Sequence, residues 1–275
     1  MDIGVRAPNH LGDAVMALPT LLGGGALGRV TVYGPPWLSE LGLVARPRGQ
    51  MDRHDAAVLL APSLRAAWEA RACRRRVGIA GDTRRWLLTD VVAPRVHRAD
   101  TYAAIAGVLG AVVSGPPCLA GEHVPDGHVA LLPTCRGGPT RTWGHFRSLA
   151  DAIDRPVVFY GAYDEAVALA QVAGPWPSQL VGLSGLRNAL CRASVVVGND
   201  SGGAHLARAL GVPTVVIFGS TAPERTGPAG AWAVQRVLMC RPCEARTCPT
   251  QRECLDVTVA EVLATVQQAM RSVVA

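Results

Sequence analysis

The chain has no lysine: all 27 of its basic residues are arginine, set against 21 acidic ones for a net charge of +6. Any anion it binds is therefore met by guanidinium groups, which clamp two oxygens at once, and not by ammonium point charges. A GC-rich coding sequence, whose codons favour Ala, Gly, Arg and Pro, explains the same bias. Charge of either sign is scarce, at 17% of residues against 49% hydrophobic, which excludes a disordered chain. Long apolar runs are missing too. Gly, Arg or Asp interrupts each of them well short of the roughly 20 residues that span a bilayer. Met1-Asp2-Ile3-Gly4-Val5-Arg6 reads as a buried strand, not as a charged leader with an apolar core. A cytoplasmic protein is expected, with at most peripheral membrane association, where a positive surface helps at an anionic face. No nucleic-acid partner is expected.

What the chain does have is punctuation, 30 glycines and 20 prolines, between short apolar runs. The spacing predicts strands at Ile3–Ala7, Val30–Tyr33, Ala56–Leu60, Val129–Leu132, Val157–Tyr160, Val195–Val197 and Thr214–Phe218. Helices are predicted at Asp13–Leu22, Thr101–Leu109, Trp143–Ala152, Glu165–Val172, Gly203–Leu210 and Val259–Met270. That alternation argues for an α/β fold of parallel sheets flanked by helices. The aperiodic, proline-containing stretch Ser114–Gly127 reads as a linker, dividing the chain into 1–120 and 121–275. Gly23-Gly24-Gly25-Ala26-Leu27-Gly28 satisfies GxGxxG, but it follows a helix and precedes a strand, the reverse of what dinucleotide binding requires. It is expected to be a loop, and a dehydrogenase reading fails with it.

The most informative stretch is VVVGNDSGGAHLARALGVPTVVIFGSTAPERTGP, from Val195 to Pro228. A buried strand runs into a turn dense in capping and turn residues, and a helix is expected to start near Ser201. The free N–H groups and positive dipole end of such a helix suit an anion, and Gly202 and Gly203 let it approach the backbone.

This segment closely resembles the donor-site signature of glycosyltransferase family 9, the lipopolysaccharide heptosyltransferases. Three more segments agree in order. Asn9-His10-Leu11-Gly12-Asp13 followed by AVMALPTL resembles the family's LGD turn and ALP helix. Arg76-Val77-Gly78-Ile79 with Arg84-Arg85-Trp86-Leu87-Leu88-Thr89 resembles its RIGY…RR.LLT stretch. Arg141-Thr142-Trp143, followed by His145-Phe146, stands where the family has Lys-x-Trp-Pro. Arg141 thus replaces a lysine, Gly203 replaces a proline, and the chain is shorter than typical members.

The resemblance implies a GT-B architecture, two Rossmann-like domains facing a central cleft, with an acceptor-binding domain first, a donor-binding domain second, and the final helix packing back toward the first. It implies an inverting, metal-independent glycosyltransferase without cofactor, taking a nucleoside-diphosphate sugar, ADP-heptose favoured, to a saccharide-containing acceptor. Asp13 matches the proposed catalytic base; from position alone it reads as a helix N-cap. Arg141, Asp200, Ser201, Gly202, Gly203 and His205 fall on the donor side, with Arg141 on the diphosphate and Asp200 on sugar hydroxyls. His10, Ser63, Arg65, Arg84 and Arg85 fall on the acceptor side, where an arginine-rich rim suits an anionic saccharide; solvated surface arginines are the plainer account. A transferase that decorates a secondary metabolite such as an aminoglycoside or glycopeptide, using another sugar nucleotide, remains open, as does a non-catalytic sugar-nucleotide-binding protein.

Cys240, Cys243, Cys248 and Cys254 crowd 15 residues of arginine-rich chain. Structural zinc, disulfides or free thiols all fit that spacing, with no role in chemistry. Cys73, Cys118, Cys135 and Cys191 are scattered and read as small hydrophobes.

Overall fold

Two parallel sheets of six strands organise the chain, seen here in a computed structural model that describes residues 1–23, 28–81 and 83–272. The contacts divide it into units Met1–Leu119 and Ala120–Ala275. In the first unit the strands are β1 (Asp2–Arg6), β2 (Arg29–Gly34), β3 (Ala45–Pro47), β4 (Ala56–Leu59), β5 (Arg75–Ile79) and β6 (Asp90–Val92). Its helices are α1 (Leu11–Met16), α2 (Leu18–Gly23), α3 (Leu64–Glu69) and α4 (Arg98–Gly107). The sheet order is β3-β2-β1-β4-β5-β6. Successive strands leave β1 in one direction and β4 in the other, so the loops after β1 and β4 diverge at a topological switch point, where open α/β sheets bind ligands.

The second unit repeats the plan. Its strands are β7 (Val129–Leu132), β8 (Val157–Gly161), β9 (Ser178–Leu180), β10 (Val195–Asn199), β11 (Thr214–Phe218) and β12 (Trp232–Gln235), in the order β12-β11-β10-β7-β8-β9. Its helices are α5 (Phe146–Ala152), α6 (Ala166–Ala173), α7 (Leu183–Arg192), α8 (Gly202–Ala209), α9 (Pro223–Thr226) and α10 (Val259–Arg271). Here the switch point lies between β7 and β10. Every residue of β7, β10 and β11 is buried, as expected of central parallel strands covered on both faces.

Several expectations shift for local reasons. The single helix expected over 13–22 is two, α1 and α2, because Pro19 has no N–H to give and suits the first turn of a new helix. The helix expected from Trp143 starts at Phe146, since the Trp143 N–H is taken by the Asn199 side chain at 2.9 Å. The strands β3, β6 and β9 have only three residues each, and β5 opens on two arginines; neighbouring strands, not their own patterns, hold them. Residues 24–27 of the discounted glycine motif lie outside the described residues. The last helix, α10, is started by a Thr258–Glu261 capping box and buries Val262, Val266 and Ala269 in the second unit's core with Trp143, Phe146 and Ile217.

The start of β7 is tied down by Asp126. It accepts from His128 Nδ1 at 2.5 Å and from Arg192 Nε at 3.0 Å. The hydrogen bond from His128 holds the Asp126 carboxyl at about 2, below the usual carboxylate range. A depressed carboxyl stabilises the fold fully above its unfolded pKa, and that contribution is lost as pH falls from about 4 toward the folded value. Thermal melts between pH 6 and pH 2 should therefore show a steeper acid loss for the wild type than for Asp126→Asn; parallel losses would remove Asp126 from the acid response.

Candidate functional site

The two switch points gather most of the residues singled out from the sequence. In the first unit, β1 ends in Arg6, which is 2% exposed. Its guanidinium donates to Glu69 Oε2 at 2.8 Å, to the Ala7 carbonyl at 2.6 Å and to Asn9 Oδ1 at 3.1 Å. A buried ion pair to α3 thereby holds the loop that carries His10 and Asp13. Leu60 N–H donates to the Arg6 carbonyl, tying the loop after β4 to the same edge.

Asp13 is not the helix cap that its position alone suggested. His10 occupies the cap position, with extended backbone and no side-chain cap bond, and Asp13 lies in the first turn of α1. Its carboxylate accepts from Arg98 Nη1 at 2.7 Å and keeps 19% side-chain exposure. Tyr102, one turn along α4, lies beside the same carboxylate. Burial pushes the Tyr102 phenol well above its ordinary range and the charge of Asp13 adds to this, so the phenol stays protonated as a donor. Arg98 and Tyr102 fix the carboxylate while leaving part of it open. Neither was found from the sequence, because only the packing of α4 on α1 brings residues 85 positions apart together.

The residues expected on the acceptor side lie in distinct surroundings. His10 is exposed. Ser63 caps α3, accepting from Ala66 N–H at 3.2 Å. Arg65 is 76% exposed and pairs through Nε with Glu69 Oε1 at 2.9 Å. Arg84, expected on the rim, has no exposed surface. Its guanidinium donates to the carbonyls of Ile79 at 2.9 Å, Ala61 at 2.7 Å and Ser63 at 3.3 Å, so it braces the loop after β4 from beneath and meets no solute. Arg85, beside it, is exposed.

In the second unit the central group is Asn199, the last residue of β10 and wholly buried. Its amide donates to the Pro133 carbonyl at 2.7 Å, and its carbonyl accepts from Trp143 N–H at 2.9 Å. Trp143 in turn donates from Nε1 to the Val257 carbonyl at 2.8 Å. The loop after β7, carrying Arg141, is thus fastened to the strand that delivers Asp200 and Ser201. Arg141 is half-buried. Its side chain lies over Gly137, where any Cβ would fall 2.2 Å from Arg141 Cδ. Among the described residues its guanidinium has no hydrogen bond or ion pair.

Ser201 is the N-cap of α8, extended and making no side-chain cap bond, so it does not quench the first-turn N–H groups beside Gly202 and Gly203. Asp200 is 8% exposed and His205 4%. Asp200 Oδ2 accepts from the Thr226 hydroxyl at 3.1 Å, and Oδ1 lies 3.8 Å from His205 Nε2. Burial pushes this carboxyl up, but the hydrogen bond and charge of His205, with the Thr226 hydroxyl, outweigh it and hold it below the ordinary range. Such a carboxylate links α8 to α9 through His205 and Thr226. Gly219, at the end of β11, is the other constraint here, since a Cβ there would stand 2.1 Å from the Thr140 carbonyl oxygen.

The cysteine-rich segment lies beyond this edge. Cys240 and Cys243 are exposed, Cys254 is buried, and all four thiols are free. Among the described residues no three His, Cys, Asp or Glu side chains are placed to hold a metal ion. Arg241 secures the segment, donating to the carbonyls of Gly219 and Thr221 at 2.6 Å each.

Comparison with known proteins agrees with this fold. Residues 97–253 match the sequence model of glycosyltransferase family 9 (heptosyltransferase). The chain is 26% identical over 278 residues to lipooligosaccharide heptosyltransferase 2 of Haemophilus influenzae, covering 82% of this chain and 77% of that one. Among solved structures, E. coli ADP-heptose lipopolysaccharide heptosyltransferase II superposes with a TM-score of 0.79 at 21% identity, over the full length of both chains. E. coli heptosyltransferase WaaC with ADP gives 0.72 at 15% identity, covering 98% of this chain and 100% of that one. The fold is the GT-B fold of those proteins.

Replacing Arg84 by alanine would leave three carbonyls without their donor. Arg84→Ala should lower unfolding stability by about 3 kcal/mol, read from urea titration; a loss below about 0.5 kcal/mol, the range of ordinary surface changes, would deny the bracing role.

Proposed function

The chain belongs to glycosyltransferase family 9, and from that premise we propose that it is an inverting heptosyltransferase-like enzyme that takes a sugar from a nucleoside diphosphate, ADP-heptose favoured, to an acceptor hydroxyl. One observation carries the reading: Arg141, half-buried and without an ion pair among the described residues, shares a switch-point edge with the uncapped first turn of α8. A guanidinium and a set of backbone N–H groups at the carboxyl ends of parallel strands are what a diphosphate requires.

In the proposed reaction the acceptor oxygen attacks the anomeric carbon from the face opposite the diphosphate. A new C–O bond forms as the bond to the phosphate oxygen breaks, and the nucleoside diphosphate leaves with the electron pair. Asp13, oriented by Arg98 and Tyr102, takes the acceptor hydroxyl proton. Arg141 and the N–H groups of Gly202 and Gly203 meet the charge that grows on the leaving phosphate, so the chain's own donors serve in place of a divalent cation. Asp200 and His205 hold α8 in position. On the acceptor side His10 and the exposed guanidinium edge of Arg65 are the groups offered to a saccharide, which an anionic one would fit best. Cytoplasmic placement follows from a sugar-nucleotide donor, and among the described residues no helix is long and apolar enough to cross a membrane.

Calorimetric titration with ADP, GDP, UDP and dTDP without added metal tests the donor reading. Selective ADP binding is expected. Selectivity for another nucleotide would move the assignment to a metabolite-tailoring transferase, and no binding at all would overturn the donor site. Arg141→Ala should weaken diphosphate binding roughly tenfold or more, the loss of a charged hydrogen bond. Asp13→Asn should leave nucleotide affinity near wild type and lower turnover about a hundredfold or more; undiminished turnover would remove Asp13 from the chemistry.

A further inference from the structure

The cysteines of the segment before α10 lie at different depths. Cys254 is 7% exposed. Burial pushes its thiol up, the Arg241 guanidinium opposes that, and Cys248, Cys243 and Cys240 lie close enough for their charge to add to the rise. Cys248 shares a hydrogen bond with the Thr250 hydroxyl at 3.3 Å. Cys240 and Cys243 are exposed free thiols, and neither has a hydrogen-bond partner among the described residues. Only Arg241 and Pro242 separate them, and the chain bends at Pro242. Such a bend brings two cysteines toward the roughly 4–7 Å between Cα atoms that a disulfide spans.

The backbone that carries this pair is a strap on the carboxyl edge of the second sheet. Arg241, between the two cysteines, donates to the carbonyls of Gly219 and Thr221 at 2.6 Å each and to Gln235 Oε1 at 3.1 Å. Glu244, next to Cys243, donates its N–H to the Ser220 carbonyl at 2.9 Å, and its carboxylate accepts from Arg225 of α9 at 3.0 Å. The Ala245 carbonyl accepts from the Thr140 hydroxyl at 2.5 Å. Thr140 immediately precedes Arg141, and Gly219–Thr221 is the turn that leaves β11. The stretch Cys240–Ala245 therefore fastens the loop after β7 to the loop after β11.

Joining Cys240 to Cys243 closes a small ring through Arg241 and Pro242. That ring contains the backbone from which the Arg241 side chain reaches Gly219 and Thr221, and it leads directly into the Glu244 N–H. The ring and the hydrogen bonds of the strap thus draw on one short run of backbone, and with the strap closed the thiols are free. We propose that Cys240 and Cys243 are a redox-active pair whose oxidation to a disulfide releases the strap and weakens nucleotide binding at the edge it holds. The effect on nucleotide rests on the donor reading; the pair itself does not. The oxidant is a low-molecular-weight disulfide. One thiolate of the pair attacks it, forming a mixed disulfide and expelling a first small thiolate. The other attacks the protein-bound sulfur, forming the Cys240–Cys243 bond and expelling a second. The two small thiols take up the two electrons and the two protons that the cysteines lose. In a reducing cytoplasm the pair rests as thiols and its disulfide is transient, as redox-sensing disulfides there are.

Treatment of the reduced full chain with glutathione disulfide, followed by non-reducing peptide mapping and calorimetry with ADP, tests the proposal. One Cys240–Cys243 disulfide is expected, with ADP affinity lowered about fivefold or more, the lower end of ordinary coupling between sites, and restored by dithiothreitol. Cys240→Ser/Cys243→Ser should bind ADP as the reduced wild type does and lose the response. Thermal melting reports whether that variant is folded, and Cys243→Ser alone serves if it is not. Absence of this disulfide, a bond from either cysteine to Cys248 or Cys254 instead, unchanged ADP affinity after oxidation, or a response that persists in the variant would overturn the proposal. No ADP binding by the reduced chain would be a failure of the donor reading. The strap is then followed by deuterium exchange at the Ser220 N–H, which donates to the Thr140 carbonyl at 3.0 Å. Faster exchange on oxidation supports its release, and unchanged exchange overturns it.

Discussion

Asn199 is the point on which the carboxyl edge of the second sheet depends. A parallel sheet with its strand order reversing between β7 and β10 leaves a gap where two loops part company, and loops that part need something to hold them at a fixed distance. A buried asparagine does this with both halves of its amide, donating to the loop after β7 through Pro133 and accepting from it through Trp143. Because Asn199 has no exposed surface, each of those bonds is made in a medium where an unmade one is costly. Trp143 then extends the clamp to Val257, ahead of α10, so the hydrophobic core and the carboxyl edge of the sheet share one set of bonds.

The first unit solves the same problem with charge. Arg6 and Glu69 form a buried ion pair, and Arg84 spends its guanidinium on three carbonyls. Buried charges of this kind add little net stability, because desolvation offsets attraction, but removing one partner is severe. Their effect is geometric. Arg6 reaches Asn9 and Arg84 reaches Ser63, so the loops on both sides of the β1–β4 switch point are held at defined places beside Asp13.

The two edges differ in a way that fits a division of labour. The second unit offers, on one sheet edge, the Arg141 guanidinium, without an ion pair among the described residues, and the first-turn N–H groups of α8, suited to a compact, highly charged ligand. The first offers a fixed carboxylate and an open, arginine-rich exterior interrupted by tryptophan.

How much of this could be read from residue order depends on the range of the interactions. Composition and the alternation of short apolar runs sufficed for two parallel α/β units, because central strands buried on both faces leave a local signature, as Val195–Asn199 and Thr214–Phe218 do. The helix start at Ser201 was equally legible, since capping and glycine preferences act within four residues. The edge strands β3, β6 and β9, the split at Pro19 and the late start of α5 were not, because neighbours distant in sequence decide them. The roles of single arginines lie furthest from the sequence. Arg84 and Arg85 are adjacent and chemically identical, yet one is sealed beneath a loop and the other stands in water. Only the tertiary structure separates them, because burial is a property of what packs around a side chain and not of the side chain itself.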